Sequence, residues 1–204
     1  MLMTETKFSK TGSTSLTPSY KALIFDCDGT LANTLPVHFQ AWSASLNKFG
    51  ASLSEEWFYQ NCGTSALEMI KLLNSQFCYQ LDSTLVNVER KKIYQSMIHA
   101  VQEIQEVAEI ARANYGKVPM AVASGGDGAI VQATLKVLKL HKLFDTVVSV
   151  DDVNRGKPEP DIFLLAAKRL GVAPEDCMVY EDSDSGLEAA QRAGMRFVDV
   201  RAFY

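Results

Sequence analysis

The chain has 204 residues, of which 47% are hydrophobic and 22% are charged, so a protein that is disordered throughout is excluded. Its 20 basic and 24 acidic side chains give a net charge of −4, which argues against a nucleic-acid-binding surface. No apolar run approaches the roughly 18–20 residues that a membrane-spanning helix needs, so we expect a soluble globular protein without a membrane segment.

The N-terminal residues and the cysteines bear on the cellular location of the protein. Residues 1–19 are rich in Thr, Ser and Lys and show no hydrophobic periodicity, so we expect a flexible leader there. This segment lacks the apolar stretch of a secretory signal. The four cysteines form no C-x-x-C pair, so neither a disulfide framework nor a zinc site is expected. A cytoplasmic location is the prediction.

Five short apolar runs predict the strands of a parallel sheet. In chain order they are residues 22–25, 118–123, 146–150, 178–180 and 197–200. Continuous runs, rather than alternating ones, are typical of strands that are buried on both faces. Helical patterns lie between the later runs, over residues 101–115, 128–139, 160–170 and 187–193. This alternation predicts an α/β fold, a Rossmann-like parallel sheet flanked by helices.

The segment after the first strand breaks this alternation and contains helical patterns only. Four helices are expected, which begin near Pro36, Ser54, Ser65 and Asp82. We therefore predict a helical cap domain over residues 36–100, which could act as a lid over the sheet. The predicted core domain comprises residues 20–35 and 101–204.

Polar side chains follow four of the predicted strands at the points where these strands end. They are Asp26 and Asp28 after the first, Ser124 after the second, Lys157 after the third, and Glu181 and Asp182 after the fourth. Ligands bind beyond the carboxyl ends of parallel strands, so these side chains are expected to form one site. The alternative is local: Ser124 could cap the helix over 128–139, and Glu181–Asp182 could cap the helix that follows them.

The chemistry of this set favours phosphate and a divalent cation. Carboxylates of Asp26, Asp28, Asp182 and Glu181 suit Mg²⁺, and crowded carboxylates need a cation to stay ionised together. Lys157 adds a positive charge.

Two further features favour the binding of an anion and suggest how a phosphate ester could react. Ser124 adds a hydroxyl, and Gly125–Gly126 lead to a helix N-terminus that favours anions. Asp26 and Asp28 lie two residues apart, so one could attack phosphorus while the other protonates the leaving alcohol and later activates water.

Four motifs resemble those of the haloacid dehalogenase-like superfamily. They are Asp26–Thr30 (D-x-D-G-T), Ser124, Gly156–Asp161 (G-K-P-x-P-D) and Glu181–Gly186 (E-D-S-x-x-G). In addition, Thr34 and His38–Trp42 resemble the T-x-x-x-H-x-x-A-W segment of the β-phosphoglucomutase-like branch. The C-terminal part is similar to that of bacterial sugar-phosphate phosphatases in this branch.

The resemblance implies a role for each residue. Asp26 would be the nucleophile that forms an aspartyl phosphate, and Asp28 the general acid and base. Ser124 and Lys157 would hold the phosphoryl oxygens, with Thr30, Gly125 and His38 as further substrate contacts. Mg²⁺ would be bound by Asp26, by the backbone carbonyl of Asp28, by Asp182 and, through water, by Glu181.

A phosphatase of a small sugar phosphate, such as fructose 1-phosphate, is therefore the predicted function. The main alternative is a phosphosugar isomerase of the β-phosphoglucomutase type. Its G-x-S-R arginine is replaced here by Ala66, although Arg90, Lys91 or Lys92 could substitute. The run Arg90–Lys92 is otherwise interpreted as a solvated helix face.

A catalytically idle binding protein is the third possibility, and it has no chemical need for Asp26, Asp28, Lys157 and Asp182 together. The expected partner is a small phosphorylated metabolite. We expect a monomer that binds neither nucleic acid nor membrane.

Overall fold

The computed structural model describes residues 20–61 and 65–203, so the predicted leader over residues 1–19 lies outside the described part. Seven strands are described: β1 (Ala22–Phe25), β2 (Ala32–Asn33), β3 (Gln102–Glu103), β4 (Met120–Ala123), β5 (Thr146–Val148), β6 (Cys177–Glu181) and β7 (Arg196–Asp199). Eight α-helices are described: α1 (Leu35–Lys48), α2 (Glu55–Asn61), α3 (Ala66–Phe77), α4 (Ser83–Met97), α5 (Gln105–Asn114), α6 (Gly128–Val137), α7 (Asp161–Leu170) and α8 (Asp184–Arg192).

Five strands form a parallel sheet in the order β5-β4-β1-β6-β7, with β1 at its centre. Leu23 and Phe25 pack in one buried cluster with residues of α5 and α6. Ala22 and Ile24 point to the opposite face and pack with α7 and α8. Burial on both faces explains the continuous apolar runs. The predicted Rossmann-like α/β fold is confirmed.

Two predicted strands are shorter in the structure than in the sequence pattern. The run over 118–123 becomes a strand only at Met120, because Pro119 has no N–H to donate to a neighbouring strand. The run over 146–150 ends at Val148, because Ser149 caps a short 3₁₀-helix at Val150–Asp152.

A two-stranded antiparallel ribbon, β2 with β3, is absent from the sequence prediction. Ala32 pairs with Glu103 and Asn33 with Gln102, at the two points where the chain enters and leaves the α1–α4 segment. The sequence pattern placed residues 101–115 in one helix, but α5 begins only at Gln105. Two-residue strands are too short to show a period, so the pattern could not reveal them.

Helices α1–α4 have a buried cluster of their own. Its largest members are Trp42, Leu46, Phe58, Ile70 and Leu73. Two of the expected helix starts carry N-caps in the structure: Ser65 accepts a hydrogen bond from Glu68 N, and Asp82 accepts from Thr84 N and Leu85 N. The division into a core domain and a cap domain stays a prediction. Within the described residues, no helix is both long enough and apolar enough to span a membrane.

We predict that Leu46→Ala lowers the free energy of unfolding by about 2–5 kcal/mol, because it leaves a cavity in the α1–α4 cluster. Leu85→Ala is the matched control, since Leu85 lies on α4 and is 57% exposed, whereas Leu46 is fully buried. Urea denaturation measures both variants. Equal losses for the two substitutions would contradict the packing described here.

Candidate active site

The loop after β1 carries two carboxylates that face different neighbours. Asp26 is buried, and its Oδ1 accepts a hydrogen bond from Lys157 Nζ at 2.6 Å. The Asp28 carboxylate turns the other way, and its Oδ2 accepts from Ser124 Oγ at 3.3 Å. Gly29 follows Asp28 and makes the next turn of this loop possible. Its φ is +87°, and a Cβ there would lie 2.1 Å from Asp182 Oδ2, so only glycine fits.

Lys157 connects two carboxylates at the centre of the site. Its ammonium donates to Asp26 Oδ1 at 2.6 Å and to Glu181 Oε2 at 2.7 Å, and its side chain is only 9% exposed. The same nitrogen lies 5.1 Å from the ring centroid of Phe163 on α7. Burial lowers the pKa of Lys157, but the facing carboxylates outweigh it and hold this pKa above its usual value. Lys157 is therefore charged and fixes both carboxylates.

Three carboxylates converge beside this lysine. One oxygen each of Asp26, Glu181 and Asp182 lies within 4.8 Å of the other two. Burial and the neighbouring Glu181 raise the pKa of Asp26 and raise that of Asp182 to about 6. Oxygen donors that repel one another in a partly desolvated site suit a hard divalent cation. The donor set therefore fits a hard divalent cation such as Mg²⁺, whereas the Asp28 carboxylate, which the sequence analysis grouped with these three, is not part of this cluster.

The two acidic residues at the end of β6 are held differently. Both oxygens of Glu181 are already engaged, Oε2 by Lys157 and Oε1 by the Ser183 hydroxyl and backbone N–H at 2.8 and 3.0 Å. Asp182 Oδ1 accepts from Thr30 Oγ1 at 3.0 Å, and no hydrogen bond to Asp182 Oδ2 from the described residues is seen. Asp182 thus has an oxygen available to bind a cation directly, whereas Glu181 is suited to contact a cation through a water molecule.

Thr30 lies in the site, but its side chain is fully buried against Asp182. It therefore orients that carboxylate, and its predicted contact with substrate stays a prediction. Gly186 is constrained by the same cluster. A Cβ there would lie 2.0 Å from Glu181 Cδ, so α8 can approach this close only with glycine.

Ser124 directly follows β4 and begins an open backbone loop. Its Oγ donates to Asp28 and accepts from Gly126 N at 3.0 Å. Gly125 is exposed, and nothing lies within 4 Å of where its Cβ would be. The N-cap of α6 is Asp127, and that of α8 is Ser183, so capping by Ser124 or by Glu181–Asp182 is wrong. The loop leaves room for an anion beside Ser124.

Helix α1 brings His38 near Asp28, and α4 supplies an aromatic ring that stacks on His38. His38 of α1 has its Nε2 3.8 Å from Asp28 Oδ1, and its ring stacks on Tyr94 of α4 at 4.1 Å. Burial acts to raise the pKa of Asp28, but the His38 imidazole and hydrogen bonds such as that from Ser124 hold this pKa below its usual value. His38 is thus brought to the site as predicted, whereas Tyr94 was missed.

The cationic run on α4 is not the solvated face that the sequence suggested. Arg90 is buried, and Lys91 Nζ donates to Asp127 Oδ2 at 2.6 Å; only Lys92 is exposed. The other Asp127 oxygen accepts from Ala129 N at 3.2 Å. Lys91 therefore fastens α4 to the first turn of α6, next to the Ser124 loop. A contact across 36 residues leaves no periodic signal, so charge patterning alone could not reveal it.

Comparison with known proteins gives consistent matches. A family model described as haloacid dehalogenase-like hydrolase matches residues 20–194. The chain is 37% identical over 182 residues to fructose-1-phosphate phosphatase YqaB of Escherichia coli, covering 89% of this chain and 97% of that protein. It is 32% identical over 181 residues to a phosphorylated carbohydrates phosphatase of Thermotoga maritima, covering 86% and 82%. The crystal structure of CbbY from Rhodobacter sphaeroides with phosphate superposes with a TM-score of 0.79 at 26% identity, covering 87% and 84%.

We predict that Lys157→Met lowers the free energy of unfolding by about 3–5 kcal/mol in metal-free buffer, because it leaves Asp26 and Glu181 buried without a counter-ion. The loss should be larger at pH 8 than at pH 5. In the variant, the folded state holds Asp26 with a raised pKa and without its ammonium partner, so protonation of Asp26 at low pH relieves the cost. Denaturant unfolding at both pH values measures this.

The matched control is Lys92→Met, which removes the same charge from an exposed position. Its unfolding free energy should change by no more than about 0.5 kcal/mol. Equal effects of the two substitutions would show that the Lys157 ammonium does not hold the site together.

Proposed function

The chain belongs to the haloacid dehalogenase-like hydrolase family, and from this premise we propose that it is a Mg²⁺-dependent phosphatase acting on small sugar phosphates. The resemblance drawn from the four motifs is confirmed, and so is the class of phosphoric monoester hydrolase. One observation carries the finer proposal: Lys157 holds the Asp26 carboxylate within 4.8 Å of a second and a third carboxylate, beside the Asp28–Ser124 pair.

In the first half-reaction, Asp26 attacks the phosphorus of the ester and forms an aspartyl phosphate. The bond from phosphorus to the leaving oxygen breaks, and Asp28 donates a proton to that oxygen. Ser124 and Lys157 bind phosphoryl oxygens. The bound phosphoryl dianion would raise the pKa of Asp28 and so favour its acid form.

In the second half-reaction, Asp28 accepts a proton from water, which attacks the phosphorus of the aspartyl phosphate. The bond between phosphorus and Asp26 breaks, inorganic phosphate leaves and the free carboxylate returns. The lowered pKa of Asp28 beside His38 suits this base role.

The carboxylates of Asp26 and Asp182 and the backbone carbonyl of Asp28 would hold Mg²⁺, which would offset the negative charge of the phosphoryl group. Glu181 would act on it through water, because both of its oxygens are engaged in hydrogen bonds. Asp26 would keep its contact with Lys157, which limits its movement before attack.

The proposed substrate class is taken from the substrates for which the relatives are named. One is named for fructose 1-phosphate and another for phosphorylated carbohydrates, so we propose a sugar phosphate resembling fructose 1-phosphate. Ala66 stands where the isomerases of this branch carry arginine, which disfavours isomerisation; the preceding residues 63–64 lie outside the described residues. A cytoplasmic monomer stays a prediction.

The first test is phosphate release, with and without Mg²⁺, from fructose 1-phosphate, 6-phosphogluconate and β-glucose 1-phosphate. We expect Mg²⁺-dependent release from one or more of them, and EDTA should abolish it. Isomerisation of β-glucose 1-phosphate primed with glucose 1,6-bisphosphate, without net release, would instead identify an isomerase. Binding without either reaction would identify a binding protein.

We further predict that Asp26→Asn lowers kcat at least about a thousandfold without unfolding the protein, because an amide cannot form the acyl phosphate. The control is Asp176→Asn. Asp176 pairs with Lys21 at the start of β6, on the opposite edge of the sheet, and its loss should leave kcat unchanged within error. Full activity in Asp26→Asn would exclude Asp26 as the nucleophile.

Binding of Mg²⁺ should weaken in acid. The pKa of Asp182 is raised to about 6 and that of Asp26 is also raised, so protons compete with the cation below this pH. We expect the Kd for Mg²⁺ to rise at least about tenfold between pH 7.5 and pH 5, as measured by isothermal titration calorimetry. A Kd independent of pH over this range would place the cation elsewhere.

A further inference from the structure

The lysine at the centre of the site is carried by a loop without regular secondary structure. This loop, residues 153–160, precedes α7, and Lys157 lies in a turn that the Glu159 N–H closes by donating to the Gly156 carbonyl at 3.0 Å. We call residues 156–159 the lysine turn. Two of the loop residues are prolines, which have no N–H to donate. The backbone therefore offers little to fix Lys157, and side chains must hold the turn in place.

The residue that closes the lysine turn is held by its carboxylate from two sides. Glu159 Oε1 accepts a hydrogen bond from Arg192 Nη1 at 2.9 Å, and Glu159 Oε2 lies 3.4 Å from Arg155 Nη1. Arg155 belongs to the same loop, whereas Arg192 is the last residue of α8. Glu159 thus connects the lysine turn to a helix on the same face of the sheet as α7.

Each of these two arginines is itself anchored to a helix. Arg155 forms a bidentate pair with Asp161, the first residue of α7, from Nε to Oδ2 at 3.0 Å and from Nη2 to Oδ1 at 2.7 Å. Arg192 Nη2 donates to Glu188 Oε1 at 2.6 Å, one helical turn earlier on α8. The two guanidinium groups that hold Glu159 are therefore oriented by α7 and α8.

These ion pairs lie at the surface, so they contribute little to the stability of the fold. The side chains of Arg155, Glu159 and Arg192 are 62%, 37% and 43% exposed. Lys157 differs, because it must place one buried nitrogen at 2.6 and 2.7 Å from two carboxylates. A displacement of about 1 Å in a reacting site can lower a rate by up to about 100-fold. Contacts that matter little for folding can therefore matter for the placement of this ammonium.

We propose that Glu159 is a positioning residue that acts through Lys157. Its carboxylate, held between two arginines, fixes the lysine turn and so determines where the Lys157 ammonium lies. Glu159 is not one of the three carboxylates that converge beside this ammonium. The catalytic consequence rests on the proposed phosphatase function, in which Lys157 binds phosphoryl oxygens.

A direct test observes the Lys157 ammonium by NMR spectroscopy of ¹⁵N-labelled protein in metal-free buffer, without substrate. The Lys157→Arg variant, which lacks this signal, assigns it. In Glu159→Ala the ammonium protons should exchange with water about 3–10-fold faster than in the wild type, because the lysine turn opens more readily. Asp176→Ala is the matched control. It breaks the ion pair with Lys21, its side chain is 32% exposed, and it should leave the exchange rate unchanged within error.

Steady-state kinetics measure the consequence for the reaction. Glu159→Ala should lower kcat/KM for p-nitrophenyl phosphate about 3–10-fold. Its melting temperature should stay within about 3 °C of that of the wild type, because only exposed pairs are lost. Arg192→Met should give an effect of the same size. The double variant should lose less than the product of the two single losses, because the two side chains act through one contact.

An unchanged exchange rate of the Lys157 ammonium in Glu159→Ala would overturn the proposal, and so would single losses of kcat/KM that multiply in the double variant. If Glu159→Ala does not fold, the same two measurements on Arg192→Met decide. Failure of the phosphatase function is a separate outcome. In that case the wild-type protein would release no phosphate from any ester, while the exchange rate would still report how Lys157 is held.

Discussion

The site depends on one buried ammonium group. Lys157 holds Asp26 and Glu181 at hydrogen-bonding distance in a region with little solvent, where a buried carboxylate without a counter-ion is costly. The order of the strands explains why one lysine can do this. β1 and β6 are neighbours at the centre of the sheet, so Asp26 and Glu181 leave it side by side. Lys157 then reaches both from the loop before α7.

Asp28 belongs to a second half of the site, in which the α1–α4 segment takes part. The strand edge supplies Ser124 to one oxygen of Asp28, and α1 brings His38 near the other. Tyr94 stacks on His38, and Lys91 fastens α4 to Asp127. The proposed general acid and base thus lies where the sheet meets the helices. There, the nature of the leaving group can influence proton transfer as well as binding.

The sequence predicted the sheet and the convergence of the polar residues, because buried parallel strands have continuous apolar runs and their ends share one edge. It could not predict features that depend on tertiary contacts alone. The ribbon of β2 and β3 is two residues long and has no period. The burial of Arg90 and the pairing of Lys91 depend on how α4 docks, so charge patterning predicted a solvated face instead.

The most direct measurement is the identification of the phosphorylated residue. The Asp28→Asn variant, which keeps the nucleophile but lacks the group that activates water, is incubated with p-nitrophenyl phosphate and Mg²⁺ and quenched in acid. Borohydride reduction converts an aspartyl phosphate to homoserine, which mass spectrometry locates in the peptide map. The structure predicts homoserine at position 26 and nowhere else. Phosphate release by the wild type, with a modified residue elsewhere or with none, would contradict covalent catalysis by Asp26.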